Sequence, residues 1–385
     1  MMGNVIPYGR QDINDQDITA VVDTLKSDFL TQGPKIAEFE NAFAHYTGAK
    51  YAVVLSNGTA ALHLAALALR VKEGDKVITS PITFAASANG FRYCGAELYF
   101  VDIDPRTYNL DINKLRSLLE SHPKGTFKGV IPVDFAGYPV DLEEFCKLAD
   151  EYNLFLVEDA CHAPGGYFKN SKGEQVNCGN GQYADISVFS FHPVKHIAAG
   201  EGGMITTNNK ELYDELILLR THGITKSEDL LTENHGGWYY EMHNLGYNYR
   251  ITDFQAALGI SQLSRADKGV ERRLEIAEKY TQAFEGTKVK TPFVESSVQH
   301  AHHLYVIQVE DRKGLYDYLR ENKILAQVHY IPIHLMPYYK NLGWKEGDCP
   351  IAEAYYEHCL SLPMFPTLTV EEQDFVIEKV LEFVK

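Results

Sequence analysis

The sequence predicts an α/β fold, a mostly parallel sheet with helices on both faces, followed by a smaller C-terminal α+β domain. Three observations lead there. From residue 51 onward, short apolar runs alternate with helix-length segments, and strands separated by helices pair in parallel with helices over both faces. The residues best suited to chemistry fall just after several of those runs, where ligands bind in such sheets. Near residue 265 the pattern changes, which divides the chain into a large domain over 1–265, with an N-terminal helical segment, and a small one over 266–385.

Each element has a local reason. Between Asn14 and Lys26, the residues Ile18, Val21, Val22 and Leu25 recur at helical spacing and predict an amphipathic helix. Leu30-Thr31-Gln32-Gly33-Pro34 breaks it, and a second helix is expected at about Ala37 to Tyr46. Tyr51 to Leu55 reads as a strand, and the alanine- and leucine-rich Ala60 to Arg70 as a helix. Further strands are expected at Lys76 to Thr79, Leu98 to Val101, Gly129 to Val133, Leu154 to Val157, Ile186 to Phe191 and Met204 to Thr207. Helices fit Ile112 to Leu119, Leu142 to Tyr152, Gln255 to Leu263 and Gly269 to Phe284. The remainder reads as a strand His303 to Val309, a helix Lys313 to Asn322, an extended Ile324 to Tyr330, and helices near Glu353 and Glu371.

Composition narrows the function. The chain has 385 residues, 45% hydrophobic and 23% charged, as an ordinary soluble globular protein does. Its net charge of -16, without a lysine or arginine block, argues against a nucleic-acid partner, which needs a basic face. No apolar run approaches the roughly 20 residues that span a bilayer. Met1 to Arg10 has no basic segment followed by an apolar one, so no signal peptide is expected. The six cysteines show no CxxC spacing and read as reduced thiols of a cytoplasmic protein. Cys161-His162 lacks two more ligands at fitting spacing, so no metal site is expected.

Four stretches carry candidate chemistry. Lys195 follows the Ile186 to Phe191 strand and a His192-Pro193 turn, and precedes a glycine-rich stretch ending at Gly203. A lysine held among apolar and small residues can lose its proton and act as an amine nucleophile, although most lysines are solvated. Ser56-Asn57-Gly58-Thr59 lies at a strand-to-helix junction, where free N–H groups and the helix dipole suit a phosphate. The same residues also make a plain capping turn. Glu158-Asp159 ends an apolar strand, and a carboxylate there needs a cation such as a protonated pyridine nitrogen; a helix N-cap is the alternative. Phe84, after Ser80-Pro81, reads either as a ring that stacks on a planar cofactor or as core. A phosphate cradle, an aromatic face, a buried acid and a lysine at successive strand ends are together the contacts that pyridoxal 5′-phosphate requires.

The sequence resembles the DegT/DnrJ/EryC1/StrS family of sugar aminotransferases, pyridoxal-phosphate enzymes of fold type I, over nearly its whole length. The stretches that carry the resemblance are Ser56 to Leu62, Glu158 to Ala163, Ser190 to Lys195, Gly200 to Gly203 and Leu245 to Asp253. The resemblance implies that Lys195 forms the covalent link to the cofactor and that Asp159 binds its ring nitrogen. It implies that Phe84 stacks on the ring, with His162 on the opposite side or near the ring hydroxyl, where many relatives carry glutamine. Gly58, Thr59 and Ser190 would hold the phosphate. Asn248 and Arg250 would reach the phosphate region or substrate of a neighbouring subunit, in a homodimer with a shared active site. Some relatives replace the lysine with histidine and act as dehydratases; this chain keeps Lys195, which argues for transamination.

Within the family, Ile6 to Arg10, Phe29 to Pro34 and Gln327 to Tyr339 are similar to the aminotransferases of the pseudaminic acid pathway. That similarity implies L-glutamate as donor and a UDP-4-keto amino sugar as acceptor, aminated at C4. Thr31, His329 and Tyr338 would be sugar or nucleotide contacts. Another nucleotide 4-keto sugar, of the UDP-4-amino-L-arabinose, bacillosamine or perosamine type, stays open. So do a pyridoxal-phosphate lyase or sugar dehydratase and a non-catalytic regulator on the same fold.

Overall fold

In the computed structural model, residues 5–385 are described; Met1 to Asn4, the start of the stretch read for a signal peptide, lie outside them. The central sheet has seven strands: β1 (Tyr51–Leu55), β2 (Lys76–Thr79), β3 (Glu97–Phe100), β4 (Gly129–Ile131), β5 (Phe155–Asp159), β6 (Ile186–Ser190) and β7 (Gly203–Thr207). Their spatial order is β1-β7-β6-β5-β4-β2-β3. The pairs β2–β3, β2–β4, β4–β5 and β5–β6 are parallel, as expected for strands joined through helices. β7 alone runs against its neighbours β1 and β6. No helix separates β6 from β7, so the chain turns back through the Lys195 loop rather than crossing over.

The helices start where their caps put them. Pro34 opens the second helix, Pro34–Thr47, three residues before the expected start, because a proline at the first turn loses no hydrogen bond. Asn57 caps the Gly58–Ala68 helix with its side chain on the amide of Ala60 (2.8 Å). This helix is buried almost all round, and its alanines and leucines pack in the main core with β1, β5, β6 and β7. The Gly269 to Phe284 helix begins earlier, at Ala266.

Several elements went unpredicted. They include the Ala86–Arg92, Lys210–Arg220 and Pro337–Lys340 helices, two small antiparallel sheets, and the Cys359–Leu362 strand that pairs antiparallel with Tyr305–Gln308. In the segment Ile324 to Tyr330 only Ile324–Leu325 is a strand, paired in parallel with Ile6–Pro7. A second core joins Ile276, Tyr280, Phe284, Ile307, Leu315, Leu319, Val376 and Val380, with Ile6 among them. All six cysteines are free thiols. Among the described residues no helix is long and apolar enough to cross a membrane.

Candidate active site

Four turns meet at one edge of the sheet, past the carboxyl ends of β1, β2, β5 and β6. Gly203 explains why they come so close. It pairs with Leu55 on one side and Ser190 on the other. A Cβ there would lie 2.5 Å from the Asn57 carbonyl oxygen, so only glycine lets β7 enter between the two turns. Gly58 in turn faces Ser190, whose Cβ would stand 3.1 Å from a Cβ at Gly58. Asn57 occupies the amide of Ala60, which leaves the Gly58 and Thr59 N–H groups at the open helix end beside Ser190. Capping and phosphate binding are therefore compatible here rather than alternatives.

Asp159 is buried at the end of β5 and is no helix cap, since a turn follows it. Its Oδ2 accepts a 2.6 Å bond from the Ser87 hydroxyl and its Oδ1 a 3.2 Å bond from the Cys161 amide. Ser87 also contacts Thr83 Oγ1 at 2.7 Å, so the Thr83-Phe84 turn and the acid share one small network. Glu158, the preceding residue, points to the other face of the strand. There it meets Asp134 and Cys178, with burial raising both carboxyls and their mutual charge raising Asp134 further.

Phe84 is not core. Its side chain is 60% exposed and lies 6.3 Å, ring to ring, from Tyr330. His162 is buried; its Nδ1 accepts from the Ala136 amide (3.2 Å), and its Nε2 lies 3.3 Å from the Tyr330 hydroxyl. Burial, and then the Lys195 charge, push His162 well below the usual histidine range, so it is a neutral ring at neutral pH. Lys195 is half-buried, and its Nζ is 3.4 Å from His303 Nε2. Burial pulls its pKa down to about 8 against the opposing pull of Cys161 and Asp159, with Arg273 lowering it further.

The remaining sequence candidates make no hydrogen bond to Lys195, Asp159 or Phe84 among the described residues, although His329 is close enough for the Lys195 charge to act on it. Thr31 and Asn248 are exposed and Arg250 is half-buried. Thr31 bridges to Thr252, and Tyr249, next to Asn248, accepts the Ser56 amide through its carbonyl (2.8 Å). Tyr338 is exposed and its hydroxyl accepts from Arg92 Nε at 3.2 Å. His329 is buried beside Tyr330, with Nδ1 2.8 Å from Ser361 Oγ; burial brings its pKa down to about 4. Sequence reasoning missed Ser87, Tyr330, His303 and Arg273. Only His303 left a signal, as one of three histidines between Gln299 and Leu304.

The arrangement fits pyridoxal phosphate on structural grounds. A bare ring at Phe84, a buried carboxylate, free helix-terminal amides beside a hydroxyl, and an amine of lowered basicity lie at the same edge of the sheet. The model of the DegT/DnrJ/EryC1/StrS aminotransferase family matches residues 11–381. The chain belongs to that family. Among curated members, it is 39% identical over 391 residues to the UDP-4-amino-4,6-dideoxy-N-acetyl-beta-L-altrosamine transaminase of Campylobacter jejuni (serotype O:23/36, strain 81-176), covering 99% of both chains. Among solved structures, it superposes on Helicobacter pylori PseC, described as an aminotransferase involved in the biosynthesis of pseudoaminic acid. The TM-score is 0.89 at 30% identity, over 99% of both chains. The PLP-form of the putative sugar aminotransferase Spr1654 from Streptococcus pneumoniae matches with a TM-score of 0.88 at 32% identity, over 99% of this chain and 100% of that one.

Proposed function

We propose that this member of the aminotransferase family moves the amino group of L-glutamate to C4 of UDP-2-acetamido-2,6-dideoxy-β-L-arabino-hexos-4-ulose. The observation that carries amino transfer is Lys195, an amine with a pKa lowered to about 8, at a sheet edge that also presents Asp159. Similarity to the Campylobacter and Helicobacter proteins supports the sugar. Pyridoxal 5′-phosphate is the cofactor, and when bound it supplies an electron sink for charge that develops at the substrate carbon. Lys195 would hold it, Asp159 would keep its ring nitrogen protonated, Phe84 would stack on its ring, and Gly58, Thr59 and Ser190 would bind its phosphate.

The residues then divide the labour. Once displaced from the cofactor by the amine of glutamate, the Lys195 amine would take the proton from Cα; water supplies the oxygen of the departing 2-oxoglutarate, and the nitrogen stays with the cofactor. In the second half the C4 ketone oxygen would leave as water when the nitrogen condenses there, and Lys195 would return a proton to C4 of the sugar. Neutral His162, fixed by Ala136 and Tyr330, lines the same space without adding a positive charge. Residues 1–265 bind the cofactor in this reading, and 266–385 close the site with His303, His329 and Tyr330.

Exposed apolar side chains support a homodimer. Trp238 and Leu245, 75% and 80% exposed, stand near Asn248 in sequence, as do Tyr240 and Met242. Covering them with a second copy would bring Asn248 and Arg250 to the neighbouring site, with Thr31 and Tyr338 left for the nucleotide sugar.

The test is to incubate the enzyme with L-glutamate and the UDP-4-keto sugar, and to follow the product by mass spectrometry and NMR. A glutamate-dependent amine at C4 of the expected configuration supports the reading. Consumption of glutamate without amination of this sugar replaces the acceptor. No reaction with glutamate rejects amino transfer from that donor.

A further inference from the structure

Lys195 Nζ lies 3.4 Å from Nε2 of His303, a ring only 4% exposed. The other ring nitrogen, Nδ1, is buried and has no hydrogen-bond partner among the described residues. A neutral imidazole carries one N–H and one bare lone pair. Burying an N–H with no acceptor costs the desolvation of a donor, and such orphans are rare in folded proteins. The proton therefore belongs on Nε2, the nitrogen that faces the lysine. An Nε2–H only donates, and an ammonium group only donates as well. The neutral amine alone offers it a lone pair.

The ring cannot turn away easily. Buried Arg273 donates through Nη1 to the carbonyls of His302 (3.1 Å), His303 (3.3 Å) and Met364 (3.0 Å), which clamps the backbone that carries the imidazole. His162 packs against it at 4.3 Å between ring centroids.

We propose that His303 selects the neutral form of Lys195: its Nε2–H donates to the Nζ lone pair and holds the amine ready as a proton acceptor. The assignment rests on the reading of Lys195 as the base of amino transfer. Burial and Arg273 disfavour the ammonium while Cys161 and Asp159 favour it, and the balance is a pKa brought down to about 8, within reach of the neutral form. The nearby His162, His196 and His329 are held neutral by burial, with Lys195 among the charges that lower each of them. His303 itself is pushed well below the usual histidine range by burial first and Lys195 second, so it stays neutral and keeps a single N–H.

The test uses the full-length chain freed of cofactor, so it does not depend on amino transfer or on the identity of the sugar. Trace labelling of Lys195 with acetic anhydride, read by mass spectrometry of its peptide across pH, gives the midpoint at which the amine becomes neutral. In His303→Gln the side chain can turn its carbonyl toward the ammonium. The midpoint is then expected to rise by about one pH unit, about tenfold less neutral amine at a given pH below it. An unchanged or lower midpoint overturns the proposal, because a histidine that accepted from the ammonium would be replaced without loss by the amide oxygen. Neutron diffraction of the wild-type protein needs no variant. A proton on His303 Nε2 supports the assignment; a proton on Nδ1 overturns it.

Discussion

Ser87 gives its hydroxyl proton to Asp159 Oδ2 across 2.6 Å, the length of a charge-assisted O–H···O⁻ bond. The serine sits in the first turn of the Ala86–Arg92 helix; its hydroxyl accepts from Thr83 Oγ1 (2.7 Å), and its backbone amide donates to the Phe84 carbonyl (3.1 Å). It therefore orients the carboxylate proposed above for the ring nitrogen. Ser87→Ala leaves the fold intact and frees that carboxylate to turn. Hydrogen bonds to charged groups contribute about 1.5–3 kcal/mol, so the loss is expected mainly in kcat, about tenfold or more, with a smaller loss of cofactor affinity. Steady-state kinetics with a cofactor titration separates the two.

Asp159→Asn removes the charge and keeps the shape. The variant is expected to retain some cofactor and to lose turnover by about a hundredfold or more, as when one preorganised electrostatic contact is deleted. A variant with unchanged kcat would separate Asp159 from the ring nitrogen.

Phe84→Ala distinguishes stacking from packing. Because the ring is 60% exposed, the melting temperature of the cofactor-free protein should hardly move, within about 0.5 kcal/mol of stability. Cofactor affinity should fall by about three- to tenfold, the worth of one aromatic contact. Calorimetry and fluorescence titration read these two quantities independently.

Much of this site was legible because it is local. Lys195, Asp159, Phe84 and the Ser56 to Thr59 turn each follow an apolar run, and the rule that α/β sheets bind ligands at strand carboxyl ends gathers them before any contact is seen. The reversal of β7 was not legible, because it follows from the helix-free return of the chain through the Lys195 loop. Ser87, His303 and Tyr330 were missed for another reason. They reach their partners across 72, 108 and 168 residues of sequence, and no periodicity encodes such contacts. Phe84 shows the limit of residue type alone: a phenylalanine after a strand is usually core, and here the fold leaves its ring bare.

Acid should unfold this protein early. His302 and His329 are buried with pKa values brought down to about 3 and about 4 by desolvation, so the folded state resists protonating them. As pH falls through the unfolded value near 6.5, the unfolded chain takes up protons that the folded chain does not, and stability is lost down toward the folded values. Each of the two is expected to withdraw about 2 kcal/mol between neutral pH and about pH 5. Urea unfolding at these two pH values measures it. A midpoint that does not decline on acidification would show that these rings reach solvent or a counter-charge.

The central claim is that Lys195 carries the cofactor. Borohydride reduction of the enzyme loaded with pyridoxal phosphate, followed by peptide mass spectrometry, tests it most directly. The account predicts a single phosphopyridoxyl mass increase on the peptide containing Lys195, absent from Lys195→Ala, which should also show no turnover. Modification of a different lysine, or a Lys195→Ala enzyme that still transfers amino groups at the normal rate, would contradict it.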